Sequence, residues 1–278
     1  MGEFLAALGR FQFLQLALAS GLLASVACGI VGTFVVVRRI SYIAASISHC
    51  TLAGLGAAQY LKVVRGWSWL RPIHGALVAA IGSALLIGIV SLRAKEREDT
   101  LIGATWAIGM AVGVLFISQT PGYNQDLMSY LFGNILMTSS SEVGIVAVLD
   151  LFVVGVCALL YTPLVAICFD EEFARIRGLR VESYYLLLLV LTAITVVLMT
   201  TVVGIVLVIA LLTLPAAIAS FFSTAVWRMM LGAIALCALF SVGGLFMSFT
   251  WDLPAGASIV MLAGGAYLTL VAALRRAR

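Results

Sequence analysis

Charge is what this chain has least of. Its 278 residues include only 16 Lys and Arg and 12 Asp and Glu, so 10% are charged while 63% are hydrophobic. Soluble domains carry nearer a quarter charged residues. This chain has too little polar surface to cover the exterior of a water-soluble fold, and that class is excluded. The net charge of +4 is too small and too dispersed for a nucleic-acid-binding patch. Catalytic signatures are missing as well. The two lysines are followed by Val63 and Glu96, so there is no GK[ST] and no P-loop for ATP hydrolysis. The two histidines are followed by Cys50 and Gly75, which excludes an HExxH zinc site. No GxSxG nucleophile elbow occurs. Cys28, Cys50, Cys157, Cys168 and Cys237 show no CxxC spacing and read as small apolar packing residues. The chain does not read as an enzyme.

What is present is long, continuous hydrophobicity. Residues 142–168 and 184–222 exceed the roughly 20 residues a helix needs to cross the hydrocarbon core. Their Leu, Val, Ala and Gly run without the strict alternation of a transmembrane β-barrel. The first run, Leu14 to Val37, is too long for a signal-peptide core of about 7–15 residues and reads as a span. Polar breaks divide the rest into about nine candidate spans. They lie near 14–37, 41–61, 73–92, 101–118, 142–168, 184–200, 203–222, 229–249 and 258–274, with eight possible if Met199–Val203 does not separate two helices. The expected fold is all-α, a polytopic helical bundle forming one transmembrane domain over 1–278.

Basic residues orient the bundle. With an extracytoplasmic N-terminus, Arg38, Arg39, Arg93, Lys95, Arg97, Arg175, Arg177, Arg180, Arg228, Arg275, Arg276 and Arg278 fall in the cytoplasm. Arg10, Lys62, Arg65 and Arg71 fall outside, as the positive-inside rule requires.

Two segments do not span. Residues 119–141 are mixed polar and aromatic; Pro121-Gly122 marks a turn, and Asp126 to Leu136 reads as a short outer interfacial helix. Residues 170–183 are the only sizeable cytoplasmic segment with helical character. Asp170 suits an N-cap, Glu171 and Glu172 the positive end of the helix dipole, and Gly178 the C-terminal exit. Phe173, Ile176 and Arg177 share a face. Two exposed apolar side chains on a cytoplasmic helix point to docking in a groove on another protein.

Polar groups inside spans are costly and usually face a pathway or a partner helix. His49 sits mid-span in SYIAASISHCTLAGLGAA, among small residues that let neighbouring helices come close. Ser46 is three residues earlier, on the same face. Two readings of His49 stay open: a transient ligand for a transition-metal ion, or a packing histidine bonded to another helix. Asp150 is placed near the outer part of the fifth span, His74 at the outer surface, and Asp252 in an outer loop where Pro254 and Gly256 break the helix.

These residues resemble a known family, the permeases of metal-type ABC importers that take up zinc, manganese or iron. The likeness covers roughly residues 14–265. GTFVVVRRISYIAASISH resembles that family's first cytoplasmic turn and second span, and DTLIGATWAIGMAVGVLF its acidic-threonine entry to a later span. DLMSYLFGNIL is similar to its outer segment, VVGIVLVIALLTLPAAIA to its most recognisable stretch, and WDLPAGASIV to the last of the series. Any one is a generic hydrophobic string; five in order are not.

The resemblance implies an assembly in the bacterial cytoplasmic (inner) membrane. Two copies would line one path, two cytoplasmic ATPase subunits would dock beneath, and an extracytoplasmic metal-binding receptor would deliver the ion. FDEEFARIRGL matches the family's coupling helix, which implies that Asp170, Glu171, Glu172, Phe173, Ala174, Arg175, Ile176, Arg177 and Gly178 meet the ATPase. Asp126, Asp252, Pro254 and Gly256 would belong to the outer docking face. His49, with Ser46, would line the metal path; no cofactor is expected to bind tightly, the metal being cargo and ATP reaching the system only through the partner subunit. One departure stands out: many members carry an acidic residue one turn before the histidine, and here that position is Ala45. Loss of that oxygen ligand disfavours Mn slightly relative to Zn. The rival expectations are an ABC permease for a metal chelate of siderophore or cobalamin type, and a proton- or sodium-driven secondary transporter. The latter needs buried acids, of which Asp150 is the main candidate.

Overall fold

The structure, a computed structural model, describes residues 2–93, 98–121 and 139–276. The described residues form helices throughout, with no strand among them. In chain order these are α1 (Gly2–Arg10), α2 (Gln12–Val37), α3 (Ser41–Val64), α4 (Pro72–Arg93), α5 (Glu98–Ser118) and α6 (Ser140–Leu159). There follow α7 (Tyr161–Phe169), α8 (Glu171–Ile176), α9 (Val181–Val203), α10 (Ile205–Phe222), α11 (Val226–Trp251) and α12 (Ala255–Arg276). The all-α membrane bundle expected from hydropathy is present.

Seven of these helices are long and apolar enough to cross a bilayer, or eight if α6 and α7 count as one broken span. The expected figure of about nine also included 41–61. That segment is α3, a 24-residue helix, but its serines, glycines and His49 dilute its apolarity below that of its neighbours. It is a helix built for contact with protein rather than with lipid, and it lies between α4 and α5.

Two boundaries differ from the sequence expectation. The run 142–168 is bent by 71° between α6 and α7. Pro163 lies in the first turn of α7, where its missing N–H is harmless, whereas continuing α6 through it would cost a backbone hydrogen bond and a clash. The division within 184–222 falls at Gly204 rather than in Met199–Val203. Gly204 takes φ +88°, a conformation that excludes most side chains, and α9 therefore continues to Val203.

α2 and α9 are the most buried of the apolar spans, and α5 and α12 the most exposed. Side chains such as Val78, Ile108, Leu115, Val148 and Leu151 point outward. That inversion of the soluble pattern suits a hydrocarbon surrounding. Without a hydrophobic driving force between helices in lipid, small residues and hydrogen bonds must set the packing. Gly54 of α3 and Gly75 of α4 meet back to back, each standing where a Cβ would collide with the other's carbonyl oxygen. On the other side of α3, a Cβ on Gly113 of α5 would lie 2.7 Å from Leu52.

Within α10, Pro215 has no N–H for the carbonyl of Leu211, four residues earlier. The thiol of Cys237 on α11 donates to that carbonyl at 3.3 Å. All five cysteines are free and buried, as their reading as packing residues required.

Candidate functional site: a buried histidine and a short exposed helix

His49 lies in the middle of α3, only 8% exposed. Its ring is stacked on Trp106 of α5, with centroids 4.4 Å apart and planes 15° from parallel. Its Nδ1 is buried and has no hydrogen-bond partner. The neighbouring helix meets the imidazole with an aromatic face.

Ser46 and Cys50 flank that pair and do make such bonds. Ser46 Oγ, fully buried, donates to the Ile102 carbonyl at 3.1 Å, and Cys50 Sγ donates to the Thr105 carbonyl at 3.3 Å. Both acceptors belong to α5, so the residues on either side of His49 hold α3 and α5 in register. Ser46 thus has a structural partner of its own. Among the described residues, no group of three or more His, Cys, Asp or Glu is gathered as a multidentate metal site.

Asp150 is buried and accepts a hydrogen bond from the backbone N–H of Ala27 at 3.0 Å. Ala27 lies in the interior of α2. Asp150 therefore ties α6 to α2 across the bundle. Periodicity places a residue along a helix but does not show which neighbour it meets.

At the end of α2, the Arg38 and Ile40 amides donate to the Phe34 and Val35 carbonyls, and Arg39 takes φ +61°. This left-handed exit turns the chain straight into α3. Arg38 ion-pairs with Glu171 of α8 and lies 5.5 Å over the ring of Tyr185 in α9. The turn that opens α3 and the short helix α8 are thereby joined at one end of the bundle.

α8 forms as its sequence suggested. Asp170 caps it, accepting from the Phe173 amide at 2.9 Å. Glu171 and Glu172 occupy the first turn, and Gly178 follows at φ +78°. Its bounds, Glu171–Ile176, are tighter than 170–178 because Arg177 already leaves the helical conformation. Ala174 is fully buried, anchoring the inner side. Phe173 is 50% and Ile176 85% exposed, with Arg177 stacked 5.1 Å over Phe173. An open groove lined by Leu179, Arg180, Ser183 and Tyr184 begins just after it.

At the opposite end, Asp252 is exposed and left-handed at the close of α11. Pro254 is exposed too, but Gly256 is buried inside α12 and offers backbone shape rather than surface. His74 is exposed, its Nδ1 accepting from the Arg71 amide at 3.3 Å. Asp126 and the interfacial helix expected over Asp126–Leu136 lie outside the described residues. Sequence reasoning passed over Trp106 and the pairing of Arg38. A tryptophan inside a span, rather than at its interfacial ends, was the available signal for the first; nothing in sequence marks the second.

Known proteins resemble this chain along nearly its whole length. The model of the ABC 3 transport family matches residues 10–274. A probable metal transport system membrane protein of Chlamydia pneumoniae is 41% identical over 91% of this chain and 86% of its own. The manganese transport system membrane protein MntC of Halalkalibacterium halodurans is 33% identical over 91% of this chain and 84% of its own. Among solved structures, PsaBC from Streptococcus pneumoniae in complex with Fab superposes with a TM-score of 0.85 at 30% identity, covering 96% of this chain and 94% of that one. With apolar helices of membrane-spanning length and a family match over nearly its whole extent, this chain is a multi-pass protein of the bacterial cytoplasmic membrane and belongs to the ABC 3 transport family.

Proposed function

We propose that the chain is the membrane-spanning permease of an ATP-driven importer for divalent transition-metal ions, with manganese, zinc or iron as cargo. The observation that carries this reading is the docking helix itself. α8 leaves Phe173 and Ile176 exposed and is tied through Glu171 and Arg38 to the turn that opens α3, the helix bearing His49. The chain has no P-loop, so ATP-driven import requires a separate motor, and α8 is where that motor engages. The names of relatives in metal and manganese transport support the choice of cargo.

Two copies of the chain would line the path, with an ATPase dimer beneath and a metal-binding receptor docked outside over Asp252 and Pro254. His49 would be a transient ligand on the way. One imidazole per copy holds a dication weakly, which suits a conduit whose ion must leave as readily as it enters. The metal is cargo, and no resident cofactor is part of the scheme.

The test is reconstitution in proteoliposomes with and without an ABC-type ATPase subunit. Metal uptake is expected only with the ATPase and ATP present. His49→Ala should lower uptake with the assembly intact. Phe173→Asp should release the ATPase or uncouple its turnover from uptake. Uptake without any ATPase would overturn the importer reading in favour of an ion-driven carrier.

A further inference from the structure

His49 Nδ1 is the one buried side-chain nitrogen or oxygen found without a hydrogen-bond partner among the described residues. Leaving such an atom unsatisfied is costly, and chains in lipid ordinarily avoid it. What the protein supplies instead is the indole of Trp106, lying nearly parallel to the imidazole at 4.4 Å.

That choice of neighbour has a chemical consequence. An imidazole binds a metal ion through a lone pair in the plane of its ring. A hydrogen-bond donor placed against a ring nitrogen would compete for that lone pair. A stacked aromatic occupies the ring's face and leaves the nitrogens free. The indole face is also electron-rich. When a dication draws charge from the imidazole, the ring becomes cation-like, and attraction to the indole increases in the manner of a cation–π contact.

The surroundings hold this stack in place. Ser46 and Cys50, three residues before and one after His49, are bonded to the Ile102 and Thr105 carbonyls of α5, so the two helices cannot slide and separate the rings without breaking both bonds. Gly109, three residues after Trp106, admits the close approach; a Cβ there would stand 2.7 Å from Cys50 Sγ. Position 45, one turn before His49, is a buried alanine and offers no carboxylate to offset a bound ion's charge.

We propose that Trp106 is a positioning residue for His49: an aromatic platform that keeps the imidazole free for in-plane capture of a divalent transition-metal ion and stabilises its metal-loaded form. The inference rests on the reading of His49 as a ligand on the metal path.

Two measurements test it. In the first, Trp67, Trp69, Trp227 and Trp251 are replaced by Phe in the full-length protein, leaving Trp106 as the only tryptophan, and Co2+ is titrated in lipid nanodiscs. Saturable quenching of Trp106 emission is expected, and His49→Ala should abolish it. The second measures uptake by the complete transporter, with whichever of Mn2+, Zn2+ and Fe2+ the wild type carries. Trp106→Ala should raise the half-saturating metal concentration about tenfold at little change in maximal rate, and Trp106→Phe should recover most of the loss. An unchanged half-saturating concentration in Trp106→Ala, or no quenching while His49→Ala still impairs uptake, overturns the platform and spares His49. Unimpaired uptake by His49→Ala removes the ligand reading itself. If the Trp106 variants do not assemble, the titration decides alone, since it leaves that residue intact.

Discussion

Arg38 of the turn after α2 forms an ion pair with Glu171 of the short helix α8, joining segments 133 positions apart in the chain. The pair is partly exposed, and such pairs contribute only about 0–1 kcal/mol to stability. Its importance is positional. Arg38 leads directly through Arg39 and Ile40 into α3, so the pair ties α8 to the helix that carries His49, the ring stacked on Trp106.

Charge reversal isolates that link. Arg38→Glu and Glu171→Arg are each expected to reduce ATP-driven uptake severalfold while leaving the melting temperature almost unchanged, and the double swap should restore much of it. Uptake by reconstituted transporters, read beside a thermal melt, checks this. Failure of the swap to rescue, with both single variants folded, would show that the contact transmits nothing.

The meeting of Gly54 and Gly75 leads to a stability prediction. Gly54→Val inserts three carbons where the Gly75 carbonyl already stands. Overpacking of this kind typically costs about 1–3 kcal/mol and more where backbone is the obstacle. The variant should lose the folded species in size-exclusion chromatography after extraction. Gly82→Ala, on the same helix α4 as Gly75 but with open space around it, should leave yield and melting temperature unaltered.

Cys237 and Pro215 should be coupled energetically. The thiol bonds a carbonyl that is free because proline has no N–H. Restoring the amide by Pro215→Ala gives Leu211 a helical partner, after which removal of the thiol should matter less. A double-mutant cycle of Cys237→Ala and Pro215→Ala is expected to show a coupling of about 0.5–1 kcal/mol. Additive effects in denaturation would mean that the thiol serves only to fill space.

The membrane-bundle class, most helix positions and the capped short helix α8 were legible from the chain alone. Hydropathy sets those features residue by residue, and Asp170 needs only Phe173, three positions on, to cap its helix. Burial of α3 was legible less directly, in a run too rich in Ser and Gly to favour lipid on all sides.

Contacts between distant segments had to come from the folded molecule. No local pattern states that Asp150 accepts from Ala27, that Arg38 finds Glu171, or that a thiol on α11 answers a proline on α10. The same holds for His49, whose stacking on Trp106 of α5 no local pattern states. Periodicity assigns a side chain to a face of its own helix. Which surface that face meets is decided by how helices pack when glycines let their backbones touch, and that is a property of pairs of segments rather than of either one.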